Sequence, residues 1–214
     1  MYLKWKTKTI TDFSDKNIES LYEQCYVFGR TGKGEMYQTR GLRIDLSEFE
    51  LNSENRRILK KTQDVKMRTC PVPYNNYHWS IHKLGKDFYT TKFGHKTFSA
   101  NKIKELMTDA LKSNFNIIFA YNDLGYCISL QTIQLVHYCY PFYDLKKSDK
   151  NMGLGMMLQA ILYAKNNHKK YIYLGSASRP TDTYKLQFKG LEWFDGKDWK
   201  NNLDELKKIL KQND

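Results

Sequence analysis

Lys150-Asn151-Met152-Gly153-Leu154-Gly155 sets two glycines one residue apart at the head of a long apolar segment. Without a Cβ, glycine lets backbone amides come close to a ligand. A helix starting there adds partial positive charge, and Lys150 adds a full one. Such a group suits a phosphodiester or a pyrophosphate. The same spacing also suits a tight turn with close helix–sheet packing. A second cluster is Ser53-Glu54-Asn55-Arg56-Arg57-Ile58-Leu59-Lys60-Lys61, where Ser53 can cap a short helix with a basic face. That face either contacts phosphates or is simply a solvated charged surface. His78 and His82 stand four apart with no third ligand nearby, so they read as ordinary polar residues and not as a metal site. Cys25, Cys70, Cys127 and Cys139 form no CxxC pair, which argues against a zinc ribbon or a cluster and for free thiols in a reducing cytosol.

Several elements must position these groups. Gln134 to Leu145 reads as a long strand rich in Tyr, Val and Phe, and Lys146 to Asn151 as a loop. Met152 to Lys165 reads as a helix apolar almost all round, hence buried, and Tyr171 to Gly175 as a short apolar strand. Strand, helix, strand is a crossover unit, so the two strands should run parallel. Its helix N-terminus then opens into the crevice above the sheet. Before it come strands at Asn116–Tyr121 and Tyr126–Leu130, joined by a turn at Asn122-Asp123-Leu124-Gly125. Ser99 caps a helix expected over Ala100–Lys112, and Trp79 to Lys83 reads as a strand. Further upstream, Asp15–Tyr26 has helical spacing, Gly29 to Gly34 is a loop, and Leu42–Leu46 alternates as a strand does. Towards the end, Tyr184–Phe188 suits a turn or two of helix, Leu191–Phe194 and Trp199 suit closing strands, and Leu203–Leu210 a last helix. Pro71-Val72-Pro73 is the strongest break. It suggests an N-terminal elaboration over 1–75 and a core over 76–214.

Composition bounds the class. The chain has 214 residues, 41% hydrophobic and 14% aromatic, enough for an ordinary core. No run reaches the roughly 18–20 apolar residues of a membrane span, and no signal peptide is expected at the charged first residues. Lys+Arg number 35 against 23 Asp+Glu, a net charge of +12. That charge favours a polyanionic partner such as nucleic acid, a phosphorylated cofactor or an anionic membrane. It is equally what a lysine-rich composition produces unaided.

The Gly153/Gly155 segment resembles the acyl-donor loop of the GNAT acyltransferases, Gln/Arg-x-x-Gly-x-Gly/Ala, with Lys150 at the Gln/Arg position. The order of elements from about residue 80 to residue 200 is similar to that superfamily's. The resemblance implies an α/β or α+β fold with a GNAT-like mixed central sheet flanked by helices. It also implies that Lys150, Asn151, Met152, Gly153, Leu154 and Gly155 bind the donor and that Tyr184 protonates the leaving group. A narrower resemblance is to arginyl-tRNA–protein transferases. It rests on Tyr171-Ile172-Tyr173-Leu174-Gly175, on Tyr184-Lys185-Leu186-Gln187-Phe188-Lys189, and on the Arg56-Arg57 segment. Here Gly190 replaces that family's proline and its N-terminal cysteine cluster is missing.

What this implies is an enzyme that moves an amino acid from charged tRNA to an amine acceptor, a peptide or protein N-terminus or a small molecule. Arg56, Arg57, Lys60, Lys61, Lys185 and Lys189 would contact the tRNA. Trp193 and Trp199 would either stack on the terminal adenine or pack in the core. Aminolysis of the ester needs a proton acceptor, for which Asp144 is the candidate unless it merely caps a loop. It also needs oxyanion donors, for which the backbone amides from Phe142 to Leu145 are placed. No metal and no cofactor beyond the aminoacyl-tRNA co-substrate is implied. The alternatives are an acetyl-CoA-dependent N-acetyltransferase and a non-catalytic RNA-binding module.

Overall fold

Eleven strands and six α-helices alternate along residues 3–211, the part that the computed structural model describes. The chain divides into two compact units, each built from separate stretches. Unit 1 is Met1–Asn52, Thr132–His137 and Tyr163–Asp214; unit 2 is Ser53–Gln131 and Tyr138–Leu162.

In unit 1, β1 (Lys6–Thr9), β3 (Glu35–Gln38) and β2 (Tyr26–Phe28) form a small antiparallel sheet in the order β1-β3-β2. Helix α1 (Asp15–Glu23) starts where the Ser14 hydroxyl accepts from the Asn17 amide, and it buries Ile18, Leu21 and Tyr22. Strand β4 (Gly41–Asp45) lies antiparallel between β10 (Leu191–Phe194) and β9 (Tyr171–Ser176). β11 (Trp199–Lys200) pairs with the free side of β10, and α6 (Leu203–Lys211) buries Leu206 and Leu210. A 3-10 helix, Pro180–Gln187, follows β9. The unit's core holds a buried cation, Arg43. It meets Glu23 and Glu192 at 2.7 Å each, and its guanidinium lies 3.9 Å from the Tyr171 ring centre and 4.0 Å from that of Trp199. Burial opposes the charge, but hydrogen bonds to Glu23, Tyr173 and Glu192 outweigh it and hold the group protonated.

In unit 2, β5 (Met67–Pro71), β6 (Ile117–Tyr121) and β7 (Gly125–Gln131) pair antiparallel in sequence. Asn122 and Asp123 take φ of 48° and 58°, a left-handed pair that Asn and Asp tolerate, in a turn closed by the Leu124 amide on the Tyr121 carbonyl at 2.9 Å. Four helices belong here: α2 (Ser53–Lys61), α3 (Trp79–Phe93), α4 (Ala100–Thr108) and the start of α5 (Met152–Asn166). Strand β8 (Leu135–Tyr143) is shared, its residues to His137 in unit 1 and from Tyr138 in unit 2. The full strand order is β11-β10-β4-β9-β8-β7-β6-β5. β8 and β9 are parallel through Leu135↔Tyr171, Val136↔Ile172 and His137↔Tyr173, with α5 between them in sequence, as the crossover pattern predicts. The expected mixed sheet flanked by helices is therefore present. Among the described residues no helix is long and apolar enough to cross a membrane.

Two expectations are corrected. Trp79–Lys83 is not a strand but the start of α3. Ile81, Gly85, Phe88 and Tyr89 are the buried residues, a helical spacing, while Trp79 faces solvent. Helix α4 stops at Thr108, a turn short of Lys112. Asp109 is extended there, and its carboxylate accepts from the Leu111 and Lys112 amides, so it builds a separate turn.

Candidate functional site

Unit 2 contains a cavity of about 750 Å³. One wall is the first half of α3, with His78, Ser80, Ile81, Leu84 and Phe88. Arg68 and the β6–β7 turn, through Asp123 and Tyr126, supply a second. The end of β8 and the loop beyond it, Tyr143 to Lys147, supply a third. Two of the lining carboxylates are already engaged. Asp123 pairs with Arg68 at 2.8 Å, and Asp87 with Lys83 at 2.7 Å. Asp144 is engaged on one oxygen only, which accepts from the Lys146 and Lys147 amides at 2.9 and 3.2 Å. Its other oxygen has the Lys147 ammonium at 4.0 Å. Asp144 is thus a loop cap with an oxygen to spare. The amide of Asp144, in the stretch expected to supply oxyanion donors, instead donates to the Leu124 carbonyl at 2.8 Å.

The glycine segment lies behind this wall. Gly153 and Gly155 fall inside the first turn of α5, and both are packing positions. A Cβ on Gly153 would sit 3.1 Å from the Tyr143 hydroxyl, and one on Gly155 only 2.5 Å from the Thr62 hydroxyl. Tyr143 therefore joins the glycine segment to the cavity that Asp144 lines. The helix start already carries an anion. The Asp149 carboxylate accepts from the backbone and side chain of Asn151 at 2.7 and 2.5 Å. The backbone bond first, and the nearby charges of Lys61 and Lys150 after it, hold that carboxyl below the usual range.

Helix α2 reaches the same place. Glu54 in its first turn and Lys60 and Lys61 in its last suit the helix dipole. Asn55 and Ile58 are buried, and Thr62, one turn beyond Ile58, meets Gly155. This spacing leaves Arg56, Arg57, Lys60 and Lys61 exposed on the outer face. Arg57 forks onto Glu54, and both Arg57 and Lys61 lie within charge range of Asp149. Two basic sequences some ninety positions apart, around Arg57 and Lys150, are thus brought together within unit 2.

The remaining expected residues belong to unit 1. Tyr184, on the 3-10 helix, is 48% exposed and able to meet a ligand. Lys185 is corrected: it is buried, its ammonium donates to the Ser176 carbonyl at 3.0 Å and lies 3.8 Å from Asp182, so it is no surface phosphate contact. Burial lowers its pKa, and Asp182 opposes the shift. Lys189 is exposed and paired with Glu50 at 2.8 Å. Trp193 is 1% exposed and donates to the Asn202 carbonyl, so it is core, while Trp199 is half-buried with its ring against Arg43. His78 caps α3 through its ring nitrogen, and His82 pairs with the Tyr77 hydroxyl. No cluster of three or more metal-ligating side chains occurs among the described residues. Sequence reasoning missed Trp79 and Arg68, because Trp79 to Lys83 reads as a strand and nothing local links Arg68 to Asp123.

No family profile matches the chain. It is 22% identical to an aspartate/glutamate leucyltransferase of Xylella fastidiosa (strain 9a5c), over 92% of this chain and 85% of that protein. It is 21% identical to the enzyme of the same name from Saccharophagus degradans, over 88% and 87%. The chain is an enzyme of the acyltransferase class. Among solved structures it is similar to L-PGS from Bacillus licheniformis, with 10% identity and a TM-score of 0.48, over 64% of this chain and 46% of that one. It is also similar to a fungal multi-domain β-N-acetylglucosaminidase with a GCN5-related glucosamine N-acetyltransferase region, with 10% identity and a TM-score of 0.47, over 90% and 23%. The chain spans under half the length of either solved protein.

Proposed function

We propose that this chain moves an amino acid from a charged tRNA to the amine of an acceptor. The similarity to enzymes named aspartate/glutamate leucyltransferase, extending over about nine-tenths of the chain, carries the reading. It favours leucine in place of arginine as the amino acid, and a peptide that begins with Asp or Glu as the acceptor. The exposed cations of α2 beside Lys150 at the start of α5 give the acceptor arm a phosphate-binding face. Met152, Leu154 and the two glycines then act from behind, by fixing Tyr143 and the helix start. A reducing cytosolic setting suits the four free thiols.

The chemistry is ester aminolysis. The acceptor nitrogen attacks the ester carbonyl and a C–N bond forms. The bond to the ribose oxygen breaks, and that oxygen must gain a proton. Asp144, through its less engaged oxygen, takes the proton the amine loses, and a water supplies the one the ribose needs. Acetyl-CoA as donor gains nothing from this geometry, because the Asn151 amide that a pyrophosphate would use at the start of α5 already donates to Asp149, whereas the acceptor arm needs only the exposed cations.

The test is incubation of the full chain with leucyl-tRNA, arginyl-tRNA and acetyl-CoA. Peptides starting with Asp, Glu or Ala serve as acceptors, and products are read by mass spectrometry. Leucine should appear on the acidic peptides alone. Transfer from acetyl-CoA, or from none of the charged tRNAs, would sink the proposal.

A further inference from the structure

Two arginines close together in unit 1 are treated in opposite ways. Arg43 has Glu23 and Glu192 on its guanidinium and two aromatic rings against it. Arg40, three residues earlier, has no such partners among the described residues. Its Nε and Nη1 are enclosed, and neither finds a hydrogen-bond partner. Burial lowers its pKa with no acid to oppose the shift. Enclosed donors left open on a charged group are costly, so the fold keeps them at the expense of stability. The side chain as a whole is only half-buried, and an outside group can reach it. Its backbone is fixed on both sides. The Arg40 carbonyl accepts from the Ala177 amide at 2.9 Å, and the Gly41 amide donates to the Thr39 carbonyl at 2.9 Å.

Ala177 directly follows β9, so Arg40 sits at the carboxyl end of a strand with a parallel neighbour, the end at which such sheets bind ligands. The next residue, Ser178, has an enclosed hydroxyl that also lacks a partner. The acid of this segment is already engaged. Asp182 accepts from the Ser178 and Arg179 amides at 3.0 Å each and faces Arg179 and Lys185 at 3.8 Å. Lys185 and Asp182 balance, the Arg179 side chain is 45% exposed to water, and Arg40 keeps one uncompensated charge. We propose that Arg40, with the Ser178 hydroxyl, forms an oxyanion site in unit 1 that takes the carboxylate of a ligand. A guanidinium edge matches the two oxygens of a carboxylate in one plane, and the hydroxyl adds a further donor. A carboxylate also carries the single negative charge that Arg40 lacks. It comes from a small carboxylic acid or from an acidic residue of a peptide. The inference stands on unit 1 and does not depend on the transferase reading.

The experiment uses the full chain, thermal unfolding and calorimetric titration. The probes are glutarate, a peptide amide beginning with Glu, the same peptide beginning with Gln, and inorganic phosphate. Glutarate, the Glu peptide or both should raise the Tm with the logarithm of their concentration, and whichever acts names the source of the carboxylate. The Gln peptide and phosphate should leave it unchanged. Arg40→Met keeps an unbranched stem and removes the enclosed charge. It should abolish the response and raise the Tm of the ligand-free protein by about 2–4 °C, the reverse of what a structural arginine does. Arg40→Lys keeps the charge without the fork and should weaken the carboxylate about tenfold. No response to either carboxylate, or a response that survives in Arg40→Met, overturns the site. A response to phosphate alone overturns the carboxylate assignment. Arg40→Met that melts well below the wild type makes Arg40 a structural residue and overturns it too. None of these results bears on leucine transfer, and failure of the transfer assay leaves the site standing.

Discussion

Gly155→Ala separates the two roles that a glycine at this position can play. The added Cβ would lie 2.5 Å from Thr62 Oγ1, 2.7 Å from its Cγ2 and 2.9 Å from its Cβ. Thr62 cannot easily give way, because it is buried and its hydroxyl donates to the Ile58 carbonyl at 3.0 Å. Overpacking of this kind costs about 1–3 kcal/mol. Replacing Gly by Ala inside a helix returns about 1 kcal/mol. Contacts this short put the overpacking at about 2–3 kcal/mol, so the expected net loss is about 1–2 kcal/mol, a fall in Tm of about 2–8 °C for a chain of this size. Thr62→Ala removes the two nearest atoms, so the double variant Gly155→Ala/Thr62→Ala should lose less than the sum of the singles, with a coupling of about 1 kcal/mol. Thermal and urea unfolding of the four proteins measure the cycle, with tRNA affinity followed in parallel. Gly155→Ala that melts with the wild type yet abolishes tRNA binding would refute the packing argument. The glycine would then serve the ligand directly.

Acid should destabilise the fold through His137, whose ring is buried and Nδ1-bonded to the Tyr22 hydroxyl at 3.0 Å. Burial first, and the charge of Lys185 second, lower its pKa to about 3. Both states hold a neutral imidazole well above pH 6.5. Below that the unfolded chain gains a proton that the native one refuses until about pH 3, so stability falls through that window by about 1.4 kcal/mol per pH unit from this group. His137→Gln should flatten the unfolding free energy between pH 6.5 and 5, and an unchanged slope would count against it. Arg43→Ala leaves Glu192 unpaired and removes the stack between Tyr171 and Trp199, so it should cost about 3 kcal/mol. The loss should be visible as a fall in Tm, and melting with the wild type would contradict it. Asp144→Asn preserves an acceptor for the two loop amides but removes the base, so kcat should fall about a hundredfold or more with little change in Tm. A variant with wild-type kcat would remove Asp144 from the mechanism.

Local patterns carried much of the fold. The apolar run of β8, the all-round apolar α5 and the short Tyr171–Ser176 strand are each legible from periodicity, and a helix between two such strands requires them to be parallel. Asn122-Asp123 signals its turn because few residues accept positive φ. The basic face of α2 follows from its own spacing. The sheet made by β1, β3 and β2 escaped notice, and so did β5. The side chains of β1 and β5 are mostly exposed, and β2 and β3 are only three and four residues long, so none carries a readable alternation.

What the sequence by itself determined is the crossover unit, the basic helix and the residue types able to transfer an acyl group. Only the tertiary structure decided which of them meet a ligand. Lys185 and Tyr184 are adjacent in sequence, yet one is buried against Ser176 and Asp182 and the other is half exposed. The Gly153–Gly155 pair is spaced for a phosphate, but Tyr143 and Thr62 lie where a Cβ would go and Asp149 holds the helix start. Trp79 read as the start of a strand and instead opens α3 with its indole 58% exposed. The reason is common to all three. Burial and proximity are set by partners distant along the chain, and periodicity records only the face a residue occupies, not what covers that face.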